Sequence, residues 1–389
     1  MNQDDEGREG RARLADRLRS ALEAELPAAV ELRHGLHADP EPSGSEWRTV
    51  ERVVEAIGRG AGEVVAETGR LIRIGQPDRP SIAVRGELDG LPGPDGFMHA
   101  CGHDVHLAAL TAFARAAHRV GDLPVPLLAV LQPREERPPS GARDIVAAQV
   151  LEEHDVRSIV GVHVQPLLGH RCVASTPGAV NAAADHVEIV ITGRGGHGGY
   201  PQLTHDPVAT IAQVVVALQQ LVSRRTDPLH SSVLTIGSLH AGTAANVIPD
   251  EARAEASLRA LDESDRLRLH EELRTMVDHV AAACGCTADV RIHEGEPVLV
   301  NEPMLTVASH RWLTELGFDI ASSLRSCGAD DFSYYGTVVP SLMMFVGVRD
   351  SDATLHQPDF VPPDDAVRDV ALAQLAGYLA ALDACATRG

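Results

Sequence analysis

The chain has 389 residues, 44% apolar and 23% charged, which exceeds one ordinary core and implies about two domains. A formal net charge of −21 without a long Lys/Arg run argues against nucleic acid or an anionic membrane surface as partner. Aromatics make up only 3%, so aliphatic side chains and alanine must fill the interior.

No apolar run approaches the ~20 residues of a membrane span. The N-terminus, MNQDDEGREGRARLADRLRS, is charged from the start and lacks the apolar stretch of a signal peptide, so the cytoplasm is the expected compartment. Cys101, Cys172, Cys284, Cys286, Cys327 and Cys385 are dispersed and predict no disulfide framework. Cys284 and Cys286 read as a small-residue turn, because no second pair of ligands lies near them.

After a polar arm, a helical pattern runs from about Leu14 into the Leu32 to Leu36 region. Ser81 to Gly86 (SIAVRG) is short, β-branched and bounded by Pro80, which predicts a buried strand. A helix over Asp104 to Val120, a strand over Val125 to Pro133, a helix over Gly141 to Leu151 and a strand over Ser158 to Val164 follow. Strands alternating with helices predict a mostly parallel α/β sheet.

From Ala182 to His293 the rhythm changes. His186 to Gly195 alternates like a half-buried strand. Asp206 and Pro207 predict an N-cap and first turn for a helix with Val208, Ile211, Val215, Leu218 and Val222 on its apolar side. Strands over Ser231 to Gly242 and Ala252 to Leu261, a helix over Ser264 to Ala283 and a strand over Thr287 to Ile292 complete a β-α-β-β-α-β order. That order is ferredoxin-like. The α/β character returns after Pro303, with a strand over Val339 to Val348 and a last helix from Asp364. The expected organisation is a discontinuous catalytic domain, 1–181 and 294–389, carrying an inserted α+β domain, 182–293.

Ligands of such sheets gather beyond the carboxyl ends of the strands. MHACGHDVH places Cys101, His103, Asp104 and His106 in a loop after the first sheet strand. Glu135 and Glu136 follow the second, His163 ends the third, and His356 follows the strand at Val339 to Val348. A lone histidine or a glutamate pair is more often ordinary surface chemistry, but core packing gives no reason for thiolate, imidazole and carboxylate to converge on one rim. All three bind transition metals, and the thiolate disfavours magnesium or calcium. Adjacent Glu135 and Glu136 are not expected to point the same way, so one would bind metal while the other moves protons.

LRHGLHADPEPSGSE (Leu32 to Glu46), RGELDGLP (Arg85 to Pro92), FMHACGHDVH (Phe97 to His106), LQPREE (Leu131 to Glu136), VGVHV (Val160 to Val164), GRGGHGGYP (Gly193 to Pro201), ANVIP (Ala245 to Pro249), GADDFSYY (Gly328 to Tyr335) and LHQPDF (Leu355 to Phe360) occur in this order. The set resembles peptidase family M20, the aminoacylase and carboxypeptidase family, in its amidohydrolase branch. That branch includes hippurate hydrolase, indole-acetyl-amino-acid hydrolases and N-acyl-amino-acid deacylases. The resemblance implies a metallohydrolase that cleaves N-acyl amino acids or related amide conjugates. It implies two divalent ions per chain (Zn, Mn, Ni or Co), held by Cys101, His103, Glu136, His163 and His356. Glu135 would be general base and then acid, and Asp89 would orient a ligand histidine. His197 would reach the substrate carbonyl or its oxyanion, Asn246 would line the substrate site, and Arg259 would take the substrate carboxylate. The inserted domain would act as a lid and dimerisation domain, hinged near Pro177 to Ala182 and Glu294 to Pro303, with His197 serving a partner's site in a homodimer.

Some positions depart from the pattern. Relatives commonly read R-A-D-M-D-A-L-P where this chain has Gly86 and Glu87 at the second and third positions, and the stretch from Pro92 to Met98 is shorter. Arg137, Pro138, Pro139 and Ser140 replace a glycine-rich run, and Arg134 precedes the glutamates. These changes bear on the substrate and leave the donors and the base in place. A dipeptidase or carboxypeptidase is the alternative activity, and a non-catalytic metal-binding regulator is the alternative class, which the retention of Glu135 opposes.

Overall fold

Leu14, Leu18 and Leu22 recur every four residues, and Ala29 and Leu36 continue the stripe, so this segment buries one face of a long helix. The computed structural model describes residues 3–321, 323–349 and 352–387. In it α1 spans Gln3–His37, so the helix begins within the polar arm. It is followed by α2 (Trp47–Ile57), β1 (Glu63–Val65), β2 (Gly69–Ile74), β3 (Ser81–Glu87), α3 (His103–Val120), β4 (Leu127–Gln132), β5 (Val156–Gln165) and β6 (Cys172–Ala174). The segment read as one helix after β4 is two short ones, Gly141–Ala147 and Val150–Glu153, interrupted where Gln149 adopts φ 58°.

The chain then forms β7 (Ala183–Thr192), β8 (Gly196–His197), α4 (Pro207–Arg225), β9 (Ser232–Ala241), β10 (Val247–Ile248), β11 (Glu251–Ala260), α5 (Glu263–Ala283) and β12 (Thr287–Glu294). It ends with α6 (Pro303–Glu315), β13 (Asp319–Ile320), β14 (Ser341–Gly347) and α7 (Asp365–Thr387). Two compact units result: Met1–Gly178 with Val300–Leu324 and Asp331–Gly389, and Ala179–Leu299 with Arg325–Asp330.

The first unit holds a sheet in the order β1-β2-β4-β3-β5-β14-β6-β13. Its four central strands, β4, β3, β5 and β14, run parallel. They are buried along almost their whole length, as continuous apolar strands covered on both faces should be. α3 and α7 pack on β3 and β5, and α1 lies against both helices. By length and composition α7 could cross a membrane, but most of it is buried in this core, which accounts for its apolarity. Parallel strands place all their carboxyl ends on one rim.

The second unit is an antiparallel sheet in the order β9-β11-β7-β12 with α4 and α5 packed on it, a β-α-β-β-α-β unit. Asp206 caps α4, accepting from Val208 N at 2.8 Å, and Pro207 takes the first turn. The buried stripe of α4 is Ile211, Val214, Leu218 and Leu221, so Val208 is exposed and the expected apolar face is rotated. Cys284 and Cys286 flank Gly285 (φ 74°) in the turn between α5 and β12.

One buried ion pair ties α1 to α3. Arg33 Nε donates to Asp104 at 3.0 Å, its Nη1 reaches Asp364 at 2.7 Å, and His37 Nδ1 lies 2.9 Å from the same Asp104 oxygen. Burial opposes the Asp104 charge, but His37 and Arg33 outweigh it and hold the pKa at about 2 instead of 3.8. Such a carboxylate stabilises the fold above its unfolded value, and the contribution fades as pH falls through the folded one. Asp104→Asn should cost about 3 kcal/mol at neutral pH, since a buried guanidinium loses a partner. Melting of metal-stripped wild type and variant should show that gap narrowing once pH drops below 3.8. A gap unchanged toward pH 3, by a roughly one-unit descent, would refute the role.

Candidate metal centre

Cys101 lies in the loop that enters α3, with Gly102 at the N-cap position. Gly102 has φ 90°, and a Cβ there would meet Val164 Cγ2 at 2.5 Å, so only glycine lets this loop press against the end of β5. That approach sets Cys101 Sγ 3.3 Å from His163 Nε2. His103 opens α3, and its Nδ1 donates to the Asp89 carbonyl at 2.7 Å, which leaves Nε2 as a lone-pair donor. His163 Nδ1 is likewise engaged, 2.7 Å from the Val164 carbonyl.

Glu135 and Glu136 follow β4. Contrary to expectation, their carboxylates converge: Glu135 Oε2 is 3.7 Å and Glu136 Oε1 4.0 Å from His103 Nε2. The alternation that separates neighbours holds in a strand, whereas this pair sits in a turn that follows Arg134 at φ 51°. Both peptide N–H groups donate to the Asp89 carboxylate, at 3.1 and 3.0 Å, and Ser43 Oγ donates to it at 2.6 Å. Asp89 thus meets His103 through its main-chain carbonyl, while its carboxylate holds the glutamate turn. His356 has φ 69°, its N–H donates to the Ala100 carbonyl at 2.8 Å, and its Nε2 lies 3.5 Å from Glu136 Oε1.

Two donor groups emerge, Cys101 with Glu136 and His356, and His103 with Glu135 and Glu136, each with its ligand atoms within 4.8 Å of one another. Donors bound at ~2.0–2.3 Å around one tetrahedral ion sit roughly 3.3–3.8 Å apart, a range that holds the 3.5 Å and 3.7 Å spacings and that the 4.0 Å one exceeds slightly. Buried His103 Nε2 and Glu136 Oε1 have no hydrogen-bond partner, a state that costs free energy unless a cation satisfies them. Burial, reinforced by Glu136 and Glu135, pushes the Cys101 thiol well above its ordinary range. Burial, helped by His106, pulls His163 down to about 3, which keeps it neutral. At His103 burial disfavours the charged ring, but Glu87, Asp89 and Glu136 outweigh it and raise the pKa. The unpartnered His103 Nε2 and Glu136 Oε1 call for a cation, and the donor set fits divalent transition-metal ions.

In the second unit, β8 and β10 pair His197 with Val247. Gly198 N donates to the Asn246 carbonyl at 2.8 Å, so His197 and Asn246 stand on one small ribbon. His197 Nδ1 accepts from Gly199 N at 3.0 Å, which places the proton of the neutral ring on exposed Nε2. Arg259 is on β11, where its Nη1 donates to the Cys327 carbonyl at 3.1 Å. Two buried residues next to the centre, Glu87 and His106, were not assigned a role from the sequence; the third histidine of MHACGHDVH was the available signal.

Residues 83–377 match the model of peptidase family M20/M25/M40. The chain belongs to this family. It is 31% identical over 357 residues to an N-acetyldiaminopimelate deacetylase of Exiguobacterium sibiricum, covering 87% of this chain and 95% of that one. It is 31% identical over 355 residues to an N-acetylcysteine deacetylase of Bacillus subtilis, covering 87% and 92%. Among solved structures, a dinuclear metal-binding M20 peptidase of Bacillus subtilis aligns with a TM-score of 0.80 at 28% identity, covering 93% and 99%. For this M20 chain, Cys101→Ala should lower the divalent metal retained after gentle purification, as read by elemental analysis. Wild-type metal content in that variant would remove Cys101 from the donors.

Proposed function

We propose that the protein hydrolyses the amide bond of N-acyl amino acids, or related amide conjugates, to a carboxylic acid and a free amino acid. The carrying observation is that Glu136 belongs to both donor groups while Glu135 belongs only to the one with His103. Cys101, His103, Glu136, His163 and His356 would hold two divalent ions, of zinc, manganese, nickel or cobalt. When bound, the ions would supply Lewis-acid polarisation of the scissile carbonyl and acidify the attacking water.

Glu135 takes the proton of that water and delivers it to the leaving nitrogen, so one water and one amide become one acid and one amine. Asp89 holds the glutamate turn in place. His197, with its proton on Nε2, donates to the developing oxyanion, a contribution of roughly 2.7–4 kcal/mol. Asn246 lines the substrate site, and Arg259, with one of its donors used at Cys327, offers the rest to the substrate carboxylate. The inserted unit serves as lid and dimerisation domain, and His197 acts in the site of a second copy. Supporting this is β9, a ten-residue edge strand with Val233 and Leu239 exposed. The reaction would take place in the cytoplasm, a reading that six free cysteines support.

Metal-loaded protein should release free amino acid from a panel of N-acetyl and N-aroyl amino acids faster than it cleaves dipeptides. Glu135→Gln should lower turnover by about 10²–10⁴ with metal retained, whereas Glu136→Gln should lose metal as well as rate. Equal metal loss in both variants, or near wild-type turnover in Glu135→Gln, would overturn the assignment of the base.

Subunit complementation tests His197. Mixing inactive His197→Ala with inactive Glu135→Gln under exchange conditions should restore activity, because a mixed dimer then has one site with both residues. A mixture that stays inactive despite confirmed exchange, or an active monomer, refutes action across subunits.

A further inference from the structure

Glu87 ends β3 and is fully buried. Its carboxylate bonds Arg85 on one side and His106 Nδ1, at 3.0 Å, on the other. Burial disfavours its charge, but Arg85 and His106 outweigh burial and keep it ionised, well below the usual range. His106 lies one turn into α3 and is also fully buried. Its Nε2 receives the Val164 N–H at 3.0 Å. A peptide nitrogen can only donate, so Nε2 is the acceptor and Nδ1 carries the proton toward Glu87. Both ends of the ring therefore select the same neutral tautomer.

The need for this contact follows from the sheet. β3 and β5 pair only as far as Val84 opposite Val160. Past that point β5 has lost its ladder partner on the β3 side, and a buried N–H without an acceptor is costly. His106 supplies that acceptor just where β5 carries His163. The His106 and His163 rings meet edge to face, with centroids 4.7 Å apart. The backbone of Val164 is thus gripped twice, at its N–H by His106 and at its carbonyl by His163 Nδ1, and His163 Nε2 is turned toward Cys101.

Glu87, His103, His106 and His163 have ligand atoms within 4.8 Å of one another and could hold an ion on distance alone. Both His106 nitrogens are already committed, so the cluster is better described as a frame than as another ion site. We propose that Glu87 and His106 are positioning residues which fix the ring of His163 as a donor, acting through the Val164 peptide without touching substrate. This rests on the reading of His163 as a metal ligand. Partners of this kind are worth about 10–100-fold in metal affinity.

The test is titration of metal-stripped full-length protein with Co²⁺, following both affinity and the visible absorption spectrum. His106→Phe fills the space but cannot accept from Val164, and Glu87→Gln keeps the shape without the charge. Both are expected to bind one of two ions about 10–100-fold more weakly, with a shifted cobalt spectrum. His106→Gln has an amide oxygen for Val164 N–H and an amide NH₂ for Glu87, and should recover most of the affinity and the wild-type spectrum. If His106→Phe fails to fold, Glu87→Gln and His106→Gln still decide the matter. Wild-type affinity and spectrum in Glu87→Gln and His106→Phe, or a His106→Gln as impaired as His106→Phe, overturns the relay. His163→Ala separates the two layers: if it still binds two ions with an unchanged spectrum, the underlying ligand assignment fails instead.

Discussion

The Asp89 carboxylate accepts the peptide N–H groups of both Glu135 and Glu136, and the rest of the centre depends on that clamp. It joins the turn after β3 to the turn after β4, two neighbours in the sheet. The turn held in this way carries two carboxylates to His103, at 3.7 and 4.0 Å from its Nε2. Carboxylates gathered so closely favour a cation among them. The stranded Glu136 oxygen and His103 nitrogen express the same demand. Fold and centre are therefore coupled through charge: the backbone geometry assembles carboxylates, imidazoles and a thiol where a cation fits.

Close approach is the second constraint. Gly102 brings the loop before α3 against β5, and the Ala100 carbonyl then takes the N–H of His356 from the far end of the chain. Short-range backbone contacts rather than long side chains bring the donors together. Side chains mounted in this way have few rotamers to lose, which suits a centre whose geometry must exist before an ion arrives.

Much of this was legible in the sequence because the parallel sheet sorts its chemistry by position. Buried runs such as LLAVLQ announce strands whatever their surroundings, and the polar residues just beyond them fall on one rim. Where legibility failed, tertiary context had overridden pattern. β1 and β2 are short and carry Glu63, Gly69, Arg70 and Arg73, so nothing in them announces burial. α4 carries valine on several sides, which makes its apolar face too broad for periodicity to find the centre. The glutamate pair misled for a similar reason: a rule for strands was applied to a turn. Glu87 and His106 went unassigned because their role arises where β3 and β5 part company, an event that local composition marks only through the third histidine of MHACGHDVH.

The departures from the family pattern acquire different meanings in this light. Arg134 precedes the glutamate pair, yet its guanidinium bonds Glu67, Asp144 and the Pro139 carbonyl, so it braces the turn and is spent as a substrate contact. Gly86 and Glu87 belong together. A Cβ at Gly86 would crowd Leu110 and Leu107 of α3, at 3.2 and 3.4 Å from their Cδ2 atoms. The missing methyl lets α3 lie close to β3, and the helix brought close is the one that carries His106 to Glu87. A change that looks conservative in a motif therefore acts on the support beneath the donors. The replacements at Arg137 and its neighbours bond to none of those donors among the described contacts.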